Sequence, residues 1–289
     1  MSSRPPLGVR APVVAGSWYP GSAEALRRMV TGYLENAQPV ELPGRPLALI
    51  VPHAGYGYSG STAAHAYSAV RGGNYSRVVL MGPLHRPIWG SQLGPFMVAR
   101  ASGYATPLGH VPLDQDFMAE LGRTVPLTSV RGDEEHSLEI QLPFLQVALA
   151  QSFLLVPIMF GERITDPGAG RRLEELAASL AALAGRDETT LLVASTDLSH
   201  LDNYADVVRF DHQTVDLVNA FDVPGLVAAL SDGRVHACGA TGLIAALRAA
   251  QLLHARGARV LAYAASGDIT GDRRPGTYTV GYLAAAVYA

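Results

Sequence analysis

The sequence predicts a single α/β domain in which a mostly parallel or mixed central sheet is flanked by helices. Short apolar runs alternate with segments of helical periodicity, the pattern of strands joined by crossover helices. The chain has 289 residues, 48% of them apolar, which suffices to bury a core on both faces of one sheet. Glycine and proline are dispersed and no low-complexity linker interrupts the pattern. We therefore expect one domain over residues 1–289, with residues 1–10 flexible.

The predicted strands are apolar runs bounded by turn residues, at 47–51, 78–81, 153–160, 191–194, 260–264 and 278–287. Within the third run, Pro157 has no N–H group and favours an edge strand or a bulge. Helical periodicity predicts helices at 23–34, 61–70, 114–121, 166–183, 211–221 and 241–253. Asp166 before Pro167, and Asp222 before Pro224, are typical of helix starts.

Composition and charge exclude several classes of function. The formal charge is −3, and the 22 basic residues are scattered arginines, so we expect no nucleic-acid partner. The longest apolar stretch, 237–253, contains Arg248 and Gln251 and is too short and too polar to span a membrane. The single cysteine, Cys238, excludes an intrachain disulfide, and the start of the chain lacks a signal-peptide pattern. The sequence therefore predicts a cytoplasmic protein.

Polar side chains follow three of the predicted strands. His53 follows the run 47–51, His85 follows the run 78–81, and the run 191–194 is followed by Asp197 and then His200. In open parallel sheets, ligands bind outside the carboxyl ends of the strands. Each histidine alone is typical of a hydrogen-bonded turn, but three strands that deliver histidines to one edge favour a shared site.

Two local patterns extend this site. Residues 53–60 form a glycine-rich loop before the helix predicted from Ser61, and residues 82–87 fix a turn around His85. Cys238 lies just before an apolar helix, where the helix dipole lowers the pKa of a thiol and favours the thiolate that binds metal. The alternative for Cys238 is a small core residue.

Other polar and aromatic groups have less specific interpretations. The acidic cluster 133–135 is typical of a solvated loop. Asp268 follows another apolar run and could reach the same edge of the sheet as the three histidines. Trp18, Tyr19 and Tyr56 could line a pocket, although such aromatics more often belong to the core.

Six ordered motifs carry a resemblance to a known family: AGSWYP at 15–20, VPHAGY at 51–56, GPLH at 82–85, EHSLE at 135–139, STDLSH at 195–200 and ACG at 237–239. They resemble the Memo family, called AmmeMemoRadiSam system protein B in prokaryotes. The family is similar in fold to class III extradiol dioxygenases, which are non-haem iron enzymes.

The resemblance implies a mononuclear metal site with two histidines and one cysteine. His53 and His85 correspond to the two histidine ligands, and Cys238 corresponds to the third ligand, where the dioxygenases use a glutamate.

The same resemblance implies roles for three further residues. His200 corresponds to the acid/base histidine, and Asp197 and His136 correspond to residues that line the site. Two departures bear on the pocket: residues 240–242 replace the Arg-His-Pro of eukaryotic members, and Leu201 stands where an aromatic is common.

These assignments imply one divalent or redox-active metal ion, with iron or copper favoured and zinc an option. Three functions remain open. The first is a metal-dependent redox enzyme of unknown substrate, although a thiolate in place of a carboxylate argues against ring cleavage. The second is a non-catalytic metal-binding or partner-binding module that acts with AMMECR-type and radical-SAM proteins. The third is a zinc hydrolase.

Overall fold

The computed structural model describes residues 7–38, 40–86, 88 and 93–289, and within these ranges the chain forms twelve strands and nine α-helices. The strands are β1 Val9–Arg10, β2 Pro46–Val51, β3 Arg77–Pro83, β4 Phe96–Ala99, β5 Gly103–Thr106, β6 Gly109–Pro112, β7 Leu127–Val130, β8 Leu154–Phe160, β9 Thr190–Ser195, β10 His200–Leu201, β11 Gly257–Ala265 and β12 Thr279–Tyr288. The helices are α1 Ala23–Asn36, α2 Tyr56–Ser68, α3 Gln115–Leu121, α4 Leu142–Ala148, α5 Ala169–Ala184, α6 Tyr204–Asn219, α7 Val223–Ser231, α8 Ala240–Leu252 and α9 Ser266–Thr270.

The main sheet is mixed and confirms the predicted fold class. Its strands run in the order β10-β12-β2-β9-β3-β8-β4-β7, and β11 also pairs with β12. The central strands β2, β9, β3 and β8 are parallel, whereas β12 pairs antiparallel with β2, and β4 antiparallel with β8. Val51 of β2 is in register with Ser195 of β9, and Met81 of β3 with Ala194. The carboxyl ends of the three strands therefore lie side by side.

Two groups of helices flank this sheet. Helices α1, α2 and α4 pack on one another, and α5, α7 and α8 form a second packed group that α6 joins through α7. Among the described residues, no helix is both long enough and apolar enough to cross a bilayer.

The strand containing Pro157 differs from its expected place. Strand β8 lies between β3 and β4, so the predicted edge position is wrong. Pro157 is in register with Leu80 of β3, whereas β4 pairs only with Met159 and Phe160 at the end of β8. An interior position is tolerated because the ladder with β4 begins beyond the proline.

Three helices begin at other residues than predicted. Helix α2 starts at Tyr56, so most of the expected glycine-rich loop is helical. Gly60 in this helix has no side chain, which lets Tyr33 of α1 pack closely against it. Helix α6 starts after the Asn203 cap, well before residue 211, and α5 starts after Gly168, which has a φ of 77°. The start at Asp222 is confirmed, since its side chain accepts a hydrogen bond from the Gly225 N–H group.

The region 93–135 and the first residues were the least predictable. Strands β4 to β7 have four residues each, too few for a periodic signal. Strand β1 pairs with β5 in a small second sheet, and Arg10 is buried, so the chain is fixed there. Of the expected flexible segment 1–10, residues 1–6 lie outside the described residues, and so does Pro87 of the predicted turn around His85.

Candidate metal centre

His53 is the most deeply buried histidine of the site. It lies two residues beyond β2, and its backbone N–H donates to Oδ1 of Asp197 at 2.7 Å. Its ring Nδ1 lies 3.0 Å from Oγ of Ser195, at the end of β9. With Nδ1 engaged in this way, Nε2 is the ring nitrogen open to a ligand.

Three histidine side chains converge at this edge of the sheet. One ring nitrogen from each of His53, His85 and His136 lies within 4.8 Å of the other two. The ring centroids are 5.1 Å apart for His53 and His85, 5.7 Å for His53 and His136, and 4.8 Å for His85 and His136. These residues form the histidine cluster, a group of nitrogen donors that could hold a metal ion.

Cys238 contacts the histidine cluster through His53. Its Sγ lies 3.1 Å from His53 Nε2 and accepts a hydrogen bond from the Asp197 backbone N–H at 3.2 Å. Gly239, the N-cap of α8, permits this approach, because a Cβ there would meet the Ser195 carbonyl oxygen at 2.5 Å. Cys238 therefore contacts His53, one of the two histidines with which it was predicted to share a site.

The expected lowering of the Cys238 pKa by the start of α8 is wrong for the metal-free chain. Burial raises the pKa of the Cys238 thiol far above its ordinary value, and the nearby Asp197 charge raises it further. Hydrogen bonds to the sulfur oppose this shift but do not reverse it. A thiolate at this position therefore requires a cation beside it.

Glu135 overturns the expectation of a solvated acidic loop. It is 1% exposed, and one carboxylate oxygen lies 3.2 Å from Nδ1 of His85. Burial alone would raise the pKa of Glu135, but the hydrogen bond from His85, the charge of His136 and the Ser137 N–H hold it well below its usual range. Glu135 therefore lies beside the histidine cluster as an ionised group.

Arg10 pairs with two buried carboxylates on either side of Glu135 in the chain, Asp133 and Glu139. This guanidinium donates to Asp133 and to Glu139 at 2.8 Å each, and to the backbone carbonyl of Glu135. Glu139 is fully buried and also accepts from Tyr19 at 2.7 Å. Sequence reasoning missed this network because no local pattern links Arg10 to residues more than 120 positions away.

His136 is nine-tenths buried and its ring packs against Trp18, with centroids 4.3 Å apart. Its Nδ1 lies 3.2 Å from a Glu135 oxygen, outside hydrogen-bond geometry, and has no hydrogen-bond partner within the described ranges. Burial lowers the pKa of His136 to about 4 against the opposing charge of Glu135, and the charges of His85 and Arg86 lower it further. The imidazole is therefore neutral at pH 7, the form that binds metal.

Burial also sets the charge of the other side chains around Cys238. It lowers the pKa of His53 well below its ordinary value, and the positive charges of His85 and His136 add to this effect. Burial raises the pKa of Asp197 to about 7, against the hydrogen bond donated by the His53 backbone. In the metal-free chain, therefore, His53 is neutral and Asp197 exchanges its proton near neutrality.

A cavity of about 720 Å³ opens beside this centre and is lined by residues that include His85, His200, Leu201 and Cys238. His200 lies at its mouth, with Nδ1 2.8 Å from the hydroxyl of Tyr278. Leu201, at the position where the resemblance implies an aromatic, contributes an aliphatic side chain to the cavity lining.

Sequence comparison assigns the family. The sequence profile described as Memo-like protein matches residues 10–286. The chain belongs to the Memo family. A MEMO1 family protein of Methanopyrus kandleri is 32% identical over 296 residues, which cover 95% of this chain and 97% of that protein. MEMO1 family proteins of Methanosarcina acetivorans and Methanocaldococcus jannaschii are each 33% identical, over 97% and 96% of this chain and 100% and 99% of their own lengths.

In this Memo-family chain, the predicted site residues fall into two sets. His53, His85, His136, Cys238 and Asp197 meet at one edge of the sheet, whereas His200 lines the cavity at its exposed end.

Asp268 is not a member of the histidine cluster, and its carboxylate accepts from Tyr204 and Arg273. Tyr56 is 3% exposed and belongs to the core, which was the second of the two interpretations given for the aromatics.

Proposed function

We propose that this Memo-family protein binds one metal ion through His53, His85 and Cys238 and uses it in a redox reaction of a small molecule. The observation that carries the proposal is the 3.1 Å contact between Cys238 Sγ and His53 Nε2, since the two residues are 185 positions apart in the chain. Titratable groups with shifted pKa values that meet beside a cavity are typical of functional sites.

The donor set fits a metal ion. Ser195 takes Nδ1 of His53, and Glu135 takes Nδ1 of His85, which leaves Nε2 of both rings for coordination. Such outer partners typically fix the tautomer and orientation of metal-binding histidines. His136 offers a further imidazole within the same cluster.

The ligand chemistry favours copper or zinc, and the family resemblance adds iron. Imidazole suits iron, copper and zinc, and a soft thiolate favours copper or zinc over harder ions. When bound, such an ion would supply redox or Lewis-acid chemistry at the cavity floor. We favour iron or copper over zinc because the family scaffold is dioxygenase-like.

The cavity supports turnover rather than metal storage. Its volume of about 720 Å³ is within the range of small-molecule sites, and it gives an added molecule access to Cys238 and His200. Desolvation, and then the charge of His85, lower the pKa of His200, so its neutral ring could accept a proton near pH 7. The hydroxyl of Tyr278 orients this ring through Nδ1.

A second candidate, a zinc hydrolase, is favoured by one observation. Asp197, with its pKa raised to about 7, lies 4.0 Å from His53 Nε2 and could act as a general base for a water molecule. The third candidate function is a non-catalytic module that acts with AMMECR-type and radical-SAM proteins. Such a module would bind the metal but catalyse no reaction.

The test of the metal site is elemental analysis of protein purified without oxygen. We expect the wild type and a His110→Ala control, which removes an exposed histidine, to carry one equivalent of iron or copper. Cys238→Ser should lose most of it, because an alcohol is a poor ligand for a soft ion. A full equivalent in Cys238→Ser would show that the thiol is not a ligand.

Turnover is tested separately with the loaded protein. A redox enzyme should consume oxygen with a catechol-like probe and lose this activity in His200→Ala. Cleavage of ester probes by zinc-loaded protein without oxygen would favour the hydrolase. Tight binding with neither activity would favour the non-catalytic module.

A further inference from the structure

We infer that Glu135 is the positioning residue of the proposed metal centre, and that its carboxylate fixes the His85 ring with Nε2 turned toward the metal. The inference rests on the proposed function, because it adds a residue to the same centre. Its support is the geometry of the carboxylate, which is nearly inaccessible to solvent.

Four backbone N–H groups and one histidine ring nitrogen converge on this carboxylate. Oε2 accepts from the backbone N–H groups of His85 and Arg86, and Oε1 accepts from those of His136 and Ser137. Nδ1 of His85 lies 3.2 Å from Oε1 and is a fifth donor when it carries the ring proton. A carboxylate offers about four lone-pair sites, so the three groups around Oε1 share two of them and none remains for a metal ion. Glu135 therefore acts through His85 and is not the carboxylate of a two-histidine, one-carboxylate site.

The accepting oxygen also sets the tautomer of His85. Because Oε1 already accepts two backbone N–H groups, it faces His85 as an acceptor, so a singly protonated His85 ring would carry its proton on Nδ1 and keep the lone pair on Nε2. The His136 ring lies nearly parallel to the His85 ring, at 18°, and its Nδ1 is also 3.2 Å from Oε1. Both rings therefore place Nδ1 beside one carboxylate oxygen, but only Nδ1 of His85 is in hydrogen-bond geometry.

The position of Glu135 does not depend on a bound ion. Its backbone carbonyl accepts from Arg10, which also forms ion pairs with Asp133 and Glu139 on either side of it in the chain. The carboxylate is thus held by the fold on one side and by backbone N–H groups on the other. The adjacent Glu134 is exposed and provides a matched control of the same charge.

The first test compares cobalt(II) binding by the full-length wild type, Glu135→Gln and Glu134→Gln, in competition with a chromophoric chelator. Glutamine has one accepting oxygen and an amide donor, so it cannot accept from all five nitrogen atoms. We expect Glu135→Gln to bind about 10 to 100 times more weakly than wild type, the usual effect of removing such a partner. Glu134→Gln should match the wild type. Equal affinity of Glu135→Gln and wild type would overturn the inference.

The second test reads the His85 tautomer directly by nitrogen-15 NMR of the metal-free protein. We expect the proton on Nδ1 in the wild type and in Glu134→Gln, and on Nε2 in Glu135→Gln. A wild-type His85 with its proton on Nε2 contradicts the inference even if Glu135→Gln does not fold. If the wild type takes up no cobalt(II), iron or copper, the proposed function fails, while the tautomer still decides the role of Glu135.

Discussion

At the scale of single residues, burial changes the chemistry that the side chains have in water. Asp197 stands after a strand as the sequence indicates, but only its desolvation moves its pKa to about 7. The buried Glu135 shows the opposite outcome, because N–H donors outweigh its desolvation. Hydrogen-bond donors and nearby positive charges, set against desolvation, decide the direction of each pKa shift.

The raised pKa of Asp197 predicts a pH dependence of stability in the metal-free chain. Unfolded Asp197 ionises near its ordinary pKa of 3.8, whereas the folded chain keeps the proton to about pH 7. The folded state therefore binds more protons between these values, and the wild type loses stability as pH rises through this window. The stabilising contribution of the proton is fully present below pH 3.8 and lost above about pH 7.

Asp197→Asn should lack this loss. We expect the free energy of unfolding of the variant, relative to wild type, to rise between about pH 4 and pH 7 and to level off above, in urea titrations with a chelator present. A difference that stays constant with pH would show that Asp197 is ionised throughout.

At the scale of elements, the helix that follows the first site strand shows how packing overrides local pattern. Glycine-rich residues 55–60 favour a loop, yet α2 begins at Tyr56. Burial against α1 and the sheet stabilises this helix more than the glycines weaken it. The hydroxyl of Tyr33 donates to the Tyr56 carbonyl at 2.8 Å and so joins α1 to the first turn of α2.

Two glycines of α2 should respond oppositely to alanine. A Cβ at Gly60 would lie 2.7 Å from the Tyr33 ring, so we expect Gly60→Ala to lower the free energy of unfolding by about 1–3 kcal/mol. A Cβ at Gly57 would meet nothing within 4 Å, so Gly57→Ala should stabilise by about 0.5–1 kcal/mol through helix propensity. Chemical denaturation measures both. Equal effects at the two positions would mean that Tyr33 moves aside at little cost.

At the scale of the whole molecule, distant parts of the chain share one sheet. Strand β12, near the end of the sequence, pairs with β2, and β2 pairs with β9. His53 and His85 closely follow strands β2 and β3 of this sheet, so we expect metal binding and global stability to be linked.

Calorimetry tests this linkage and the single domain together. We expect one unfolding transition, with equal calorimetric and van't Hoff enthalpies. An ion at roughly 100 times its Kd should add about 2.7 kcal/mol and raise Tm. His53→Ala should show no such rise, since it lacks a ligand. Two separate transitions would contradict a single cooperative unit.

The sequence by itself determined the fold class, the six main strands and the strand ends that carry His53, His85 and Asp197. Apolar periodicity and strand-end position are local properties of the chain, so they can be read without coordinates. The place of Cys238 before an apolar helix marked it as a candidate, and the family motifs joined it and His136 to the two histidines, which no spacing does.

Only the tertiary structure decided which groups touch and how they are charged. The Cys238 contact with His53, the burial of Glu135 and its ion-paired neighbours, and the raised pKa of Asp197 all depend on residues far apart in the chain. Hydrogen bonds and desolvation act over a few ångströms in space, and the chain brings these atoms together only when the strands align in one sheet.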